Sequence, residues 1–124
     1  MTLFDECIEA LGRSARVLTK EETDSIFNLF EKTYEITFYG RIDWKKESGK
    51  EVRSVTDIKD HFTNISIPTY ILWDNARIPA VEAQLDKIIE VIDDVTALSF
   101  DTWLFSPELK AVIEFSHDKI WLKV

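Results

Sequence analysis

The apolar positions of this chain change period several times. Phe4, Cys7, Ile8 and Leu11 recur at i, i+3, i+4 and i+7, which is one face of a helix beginning at Thr2. Asp5 and Glu6 fall in its first turn, where the helix dipole favours negative charge, and Gly12 follows as a stop. Arg16–Leu18 reads as a short strand or link. Thr19 and Glu22 have capping-box spacing, and Ile26, Phe27 and Phe30 supply the apolar side of a second helix. From Tyr34 to Asp43 the period drops to two. Ile36, Phe38, Gly40 and Ile42 alternate with Thr37, Tyr39 and Arg41, which predicts a strand, with Gly40 marking a bulge or close approach.

Lys45 to Arg53 reads as a charged loop or hairpin tip, and Ser54 and Asp57 as the start of a short helix carrying Ile58 and Phe62. Thr69–Trp73 after Pro68 suits a strand buried on both faces, closed by Asp74-Asn75. Pro79 then fits the first turn of the longest helix, in which Val81, Leu85, Ile88, Ile89 and Ile92 share a face. The last third is strand-rich: Thr102–Phe105, Ala111–Phe115 and Lys119–Val124. Its turns are Ser106-Pro107-Glu108-Leu109 and the short Ser116–Lys119 connection, which lacks the favoured Asn-Gly pair. The prediction is one α+β domain over residues 1–124. It has an antiparallel sheet ending in a meander, flanked by N-terminal helices and one long central helix.

Composition narrows the function. At 124 residues with 45% hydrophobic positions, the chain buries a proper core and is not a disordered acidic tail. No apolar run approaches membrane-span length, and Met1–Glu6 lacks the basic start of a secretory signal. One cysteine allows neither an internal disulfide nor a cysteine zinc site, so a reduced cytoplasmic setting is expected. Cys7, on an apolar helix face, reads as a buried small residue rather than a reactive thiol. The net charge of −8 disfavours direct binding of nucleic acid or anionic membrane, and suits either solubility or a basic partner.

The charge is not evenly spread. Between Val81 and Asp101 six acids face one base, Lys87. On the expected long helix Glu82, Asp86, Glu90 and Asp93 form a stripe opposite the apolar face, with Asp94 beside it. Like charges at this spacing cost about 0.2–0.5 kcal/mol per pair. The stripe is therefore a solvated face that tolerates the cost, or a row of carboxylates that meets Lys and Arg of a partner. It lacks the turn and glycine of a calcium loop, so no metal is expected. His61 and His117 leave a small hydrolase, using both with a carboxylate, as the competing class. Hydrolase, metalloprotease and nucleotide-binding signatures are all missing, no cofactor is implied, and a non-enzyme is expected. Trp73 and Trp121 read as core. Trp44, near Asp43, and Trp103, near Asp101, stay open between core and interface anchor.

Three stretches carry a resemblance: Thr2-Leu3-Phe4-Asp5-Glu6-Cys7-Ile8-Glu9-Ala10-Leu11, then Ile36-Thr37-Phe38-Tyr39-Gly40-Arg41-Ile42-Asp43-Trp44, and Asp101-Thr102-Trp103-Leu104-Phe105 leading into Val112–Asp118. The chain resembles the immunity proteins of bacterial contact-dependent growth inhibition systems. The resemblance implies a protein that binds and neutralises a toxin domain delivered by a neighbouring cell. Many such toxins are nucleases, and an acidic inhibitor suits a basic one. The resemblance carries over no binding residue. On charge and position, the expected toxin-binding residues are Glu82, Asp86, Glu90, Asp93 and Asp94, with Asp43, Trp44, Asp101 and Trp103 as a rim or anchor. The remaining alternative is an adaptor with no toxin partner.

Overall fold

The computed structural model describes every residue from Met1 to Val124. Helix α1 (Leu3–Leu11) opens with a complete capping box between Thr2 and Asp5 and ends at Gly12, whose φ of 80° a side chain would disfavour. Strand β1 (Arg16–Val17) leads to α2 (Lys20–Thr33), capped reciprocally by Thr19 and Glu22 as the spacing predicts. Then come α3 (Trp44–Glu47), β2 (Lys50–Val52) and α4 (Val55–Ile58), which runs into a 3-10 turn at Lys59–His61. The remainder is β3 (Pro68–Trp73), β4 (Val81–Gln84), α5 (Leu85–Glu90), α6 (Ile92–Thr96), β5 (Asp101–Ser106), β6 (Ala111–Ser116) and β7 (Lys119–Lys123). All seven strands join one antiparallel sheet in the order β1-β4-β3-β5-β6-β7-β2. This is the α+β architecture the patterning predicts, with β5–β7 as the C-terminal meander.

Both faces of the sheet are covered, and strand alternation assigns residues to them. Ile71, Trp73, Val81, Ala83, Leu104, Ile113 and Leu122 point to one face. There they pack with Cys7 and Leu11 of α1, Leu85, Ile88 and Ile89 of α5, and Val95 of α6. Leu72, Trp103, Phe105 and Val112 point to the other, under Ile26 and Phe30 of α2 and Tyr34. Phe30 is the aromatic hub of this second layer, with ring centroids 5.4 Å from Trp103 and 5.5 Å from Phe105.

Three expectations fail. The long central helix does not form. Val81–Gln84 is a strand, paired with β3 and β1, and Val91 (φ −117°, ψ 32°) interrupts the rest into two short helices. Over residues 81–84 the alternation of buried Val81 and Ala83 with Glu82 and Gln84 fits a strand, and ladder bonds on both sides decide it. The strand expected across Tyr34–Asp43 is a protruding turn, whose one β-pairing is an isolated bridge between Ile36 and Ile42. Its pattern has the period of a strand, but Phe38 is fully exposed. The expected charged loop after Trp44 also condenses into α3 and the edge strand β2.

Candidate functional site

Breaking the helix redistributes the acidic stripe. Glu82 lies on the α2 side of the sheet, where Arg16 bonds it at 3.2 Å. Asp86, at the start of α5, accepts from the Ser66 hydroxyl at 3.2 Å. Glu90 is exposed, with Lys87 at 3.8 Å. Asp93 and Asp94 are exposed on α6 and have no ion-pair partner. The four acids on α5 and α6 gain neighbours that the sequence pattern did not connect to them. Helix α1 packs against α6, bringing Asp5, Glu6 and Glu9 into the same helical layer. These three helices carry seven acids and one base, Lys87. The layer is thus strongly negative, although it is not one helix face.

The same layer decides Cys7. Its thiol is fully buried, and burial, aided by the Asp94 charge, pushes its pKa up to about 11. It is a packed side chain, as its place on an apolar face predicts.

Asp101 and Trp103 are interior groups. Asp101 accepts from the Ser116 hydroxyl across β5 and β6. Trp103 is 3% exposed and donates its indole N–H to Glu114 at 2.8 Å. Glu114 has no exposed surface and accepts from two more donors, Trp44 at 2.9 Å and the Arg41 guanidinium at 3.1 Å. A buried carboxylate is costly without such partners. Here three donors from two parts of the chain, residues 41–44 and β5, converge on it. Trp44 also stacks on Trp121, with centroids 5.8 Å apart and an interplanar angle of 17°. Asp43 caps α3 by accepting from the Lys46 amide.

Glu114 therefore ties residues 41–44 to the centre of the sheet. Glu47 ties the flanks. One carboxylate oxygen accepts from the Glu35 amide at 2.6 Å and the other from Lys123 at 3.0 Å. Burial alone raises the Glu47 pKa, but those two donors outweigh it and hold the carboxyl below its usual value of 4.5. Sequence reasoning missed both glutamates. The signal for Glu114 was available: a lone acid inside the run Ala111–Phe115 must find partners if that strand is buried.

Between these ties the turn projects Phe38, fully exposed, and Tyr39, 63% exposed, with rings edge to face at 5.0 Å. Beside it Tyr39, Trp44 and Trp121 line an open hollow of about 500 Å³. The two histidines are not brought together. His61 lies near Lys123 and Val124, whereas His117 is in the turn preceding the other end of β7. They do not form the acid–base pair considered above. No cluster of His, Cys, Asp and Glu suited to a metal ion is present, and no helix is long and apolar enough to cross a membrane.

The fold and its surface define an α+β protein whose distinctive exposed groups are an acidic helical layer and a braced aromatic turn. The chain matches the family model of the CdiI immunity protein, EcoliA0-like, over residues 1–123, and it belongs to that family. It is thus an immunity protein of the contact-dependent growth inhibition type, as the resemblance implied. No curated protein matches the chain.

Proposed function

We propose that this protein binds one cognate growth-inhibition toxin domain in the cytoplasm and neutralises it by occluding its active site, without catalysis of its own. The observation that carries the reading is family membership across nearly the whole chain. The toxin is a nuclease in this reading. A nuclease holds phosphate in a basic cleft, and a net charge of −8, densest on α1, α5 and α6, attracts such a cleft. Asp86, Glu90, Asp93 and Asp94 serve as the steering acids. Glu82 is engaged by Arg16, and Asp101 and Trp103 are buried, so these three act on the fold. Asp43 and Trp44 remain contact residues beside the exposed turn.

Co-expression tests the reading. The toxin domain encoded beside this gene should arrest a susceptible cell, and this protein should restore growth and abolish nucleic-acid cleavage in the lysate. Arrest that persists despite soluble immunity protein removes the proposed function. Rescue without any nucleolytic activity removes only the nuclease assignment.

A further inference from the structure

We infer that the Phe38–Tyr39 turn is the apolar anchor of the toxin interface, inserted into an apolar pocket of the toxin domain and held ready for it by Glu114. The inference rests on the immunity reading and locates its contact centre. Four observations carry it.

The first is exposure. Phe38 is fully exposed and Tyr39 largely so, on adjacent residues with their rings in contact. Together with the hollow lined by Tyr39, Trp44 and Trp121, they form a convex knob next to a concave aromatic surface. A few residues carry most of the energy of a protein interface, and aromatic side chains packed into partner pockets are enriched among them.

The second is rigidity. The Thr37 amide bonds the Arg41 carbonyl at 2.6 Å, the Gly40 amide bonds the Thr37 carbonyl at 3.0 Å, and the Thr37 hydroxyl accepts from the Arg41 amide at 3.1 Å. Gly40, at φ 86°, allows the chain to close this tightly. Below it, Asp43 bonds the Glu35 carbonyl at 2.8 Å, and Glu47 and Glu114 fix both flanks. A loop already ordered loses little entropy on binding, so more of its contact energy appears as affinity.

The third is local charge. Residues 35–47 hold three acids (Glu35, Asp43, Glu47) and three bases (Arg41, Lys45, Lys46). Arg41 and Glu47 are already paired within the fold. The tip itself, residues 36–40, carries no charge; aromatic groups with charge kept to the rim have the composition of an interface core, whereas the acidic helices have that of a steering surface.

The fourth is area. A standard interface takes about 800 Å² from each partner. That is near a tenth of this protein's 7521 Å² surface. The turn packs over the α2 side of the sheet and the acidic helices cover the other. One toxin contact covers one of these regions: the helical side exposes Leu3 and Phe100 without an aromatic partner, whereas the turn presents two adjacent rings in contact on a braced frame.

The test measures binding of the purified, catalytically inactivated toxin domain encoded beside this gene. Phe38→Ala/Tyr39→Ala removes the rings from exposed positions, and thermal unfolding should match the wild type. The dissociation constant should rise at least about 30-fold, mainly through faster dissociation. Glu114→Gln keeps both rings but loosens their brace. It should weaken binding less than the double variant, and pairing it with that variant should add little. Unchanged affinity in a folded Phe38→Ala/Tyr39→Ala protein overturns the anchor while leaving immunity intact. A concentration-dependent dimer lost in that variant, with toxin affinity unchanged, would also overturn it and assign the turn to self-association. If the wild-type protein does not bind the toxin domain, the immunity reading falls and the anchor with it.

Discussion

At the residue scale the decisive group is Glu114. Its carboxylate is completely buried yet accepts from Arg41, Trp44 and Trp103. Glu114→Gln keeps the volume but makes one acceptor a donor, which turns an amide N–H against at least one of those groups. The expected cost is about 1–3 kcal/mol, read as a lower urea midpoint with an unchanged slope. Glu47 gives a pH-dependent counterpart. Its folded pKa lies below 4.5, so its contribution is present above that value and is lost as pH falls through the lowered pKa. Glu47→Gln should therefore be less stable than the wild type at neutral pH, and the gap should close in acid. Cys7 gives a chemical check. With its pKa near 11 and no exposure, it should resist a thiol-specific alkylating reagent at neutral pH until the protein is unfolded.

At the element scale, α1, α2 and the meander were legible because each has its own local signals: a capping box, a glycine stop, or several residues of unbroken alternation. The long helix was not, because Val81–Gln84 is only four residues and its apolar positions suit both periods. Strand partners far away in sequence decide such a window. The Ile36–Ile42 alternation misled for a different reason: Phe38 is apolar but does not face a core. An exposed aromatic turn can mimic a buried strand in one dimension. The β6–β7 connection shows a local rule broken and tolerated. His117 and Asp118 both adopt positive φ, 49° and 64°, the backbone of a type I′ turn, without the Asn-Gly that favours it. His117→Asn with Asp118→Gly should relieve this and stabilise the protein by about 1 kcal/mol, visible as a thermal midpoint a few degrees higher.

At the scale of the whole molecule, total charge was legible but its distribution was not. Sequence spacing joined Glu82 to Asp86, Glu90 and Asp93; folding sends Glu82 to the other side of the sheet and brings in the acids of α1. The resulting layer and the aromatic turn lie on opposite sides of the sheet, so the proposed steering field and the proposed contact can be tested separately. Replacing Glu90, Asp93 and Asp94 by Lys adds two charges at each position, so the net charge moves from −8 to −2. At about 10 mM salt the screening length is near 30 Å, so charge anywhere on so small a domain acts on an approaching toxin; at physiological salt it shrinks to about 8 Å. If these acids steer, the triple variant should associate with the toxin domain about 10-fold more slowly at low salt. The deficit should largely disappear at physiological salt, with dissociation unchanged throughout. Rapid-mixing kinetics at the two salt concentrations provide the measurement. Faster dissociation that persists at physiological salt would place the acids inside the contact instead, and would transfer to the helical layer the role assigned to the turn.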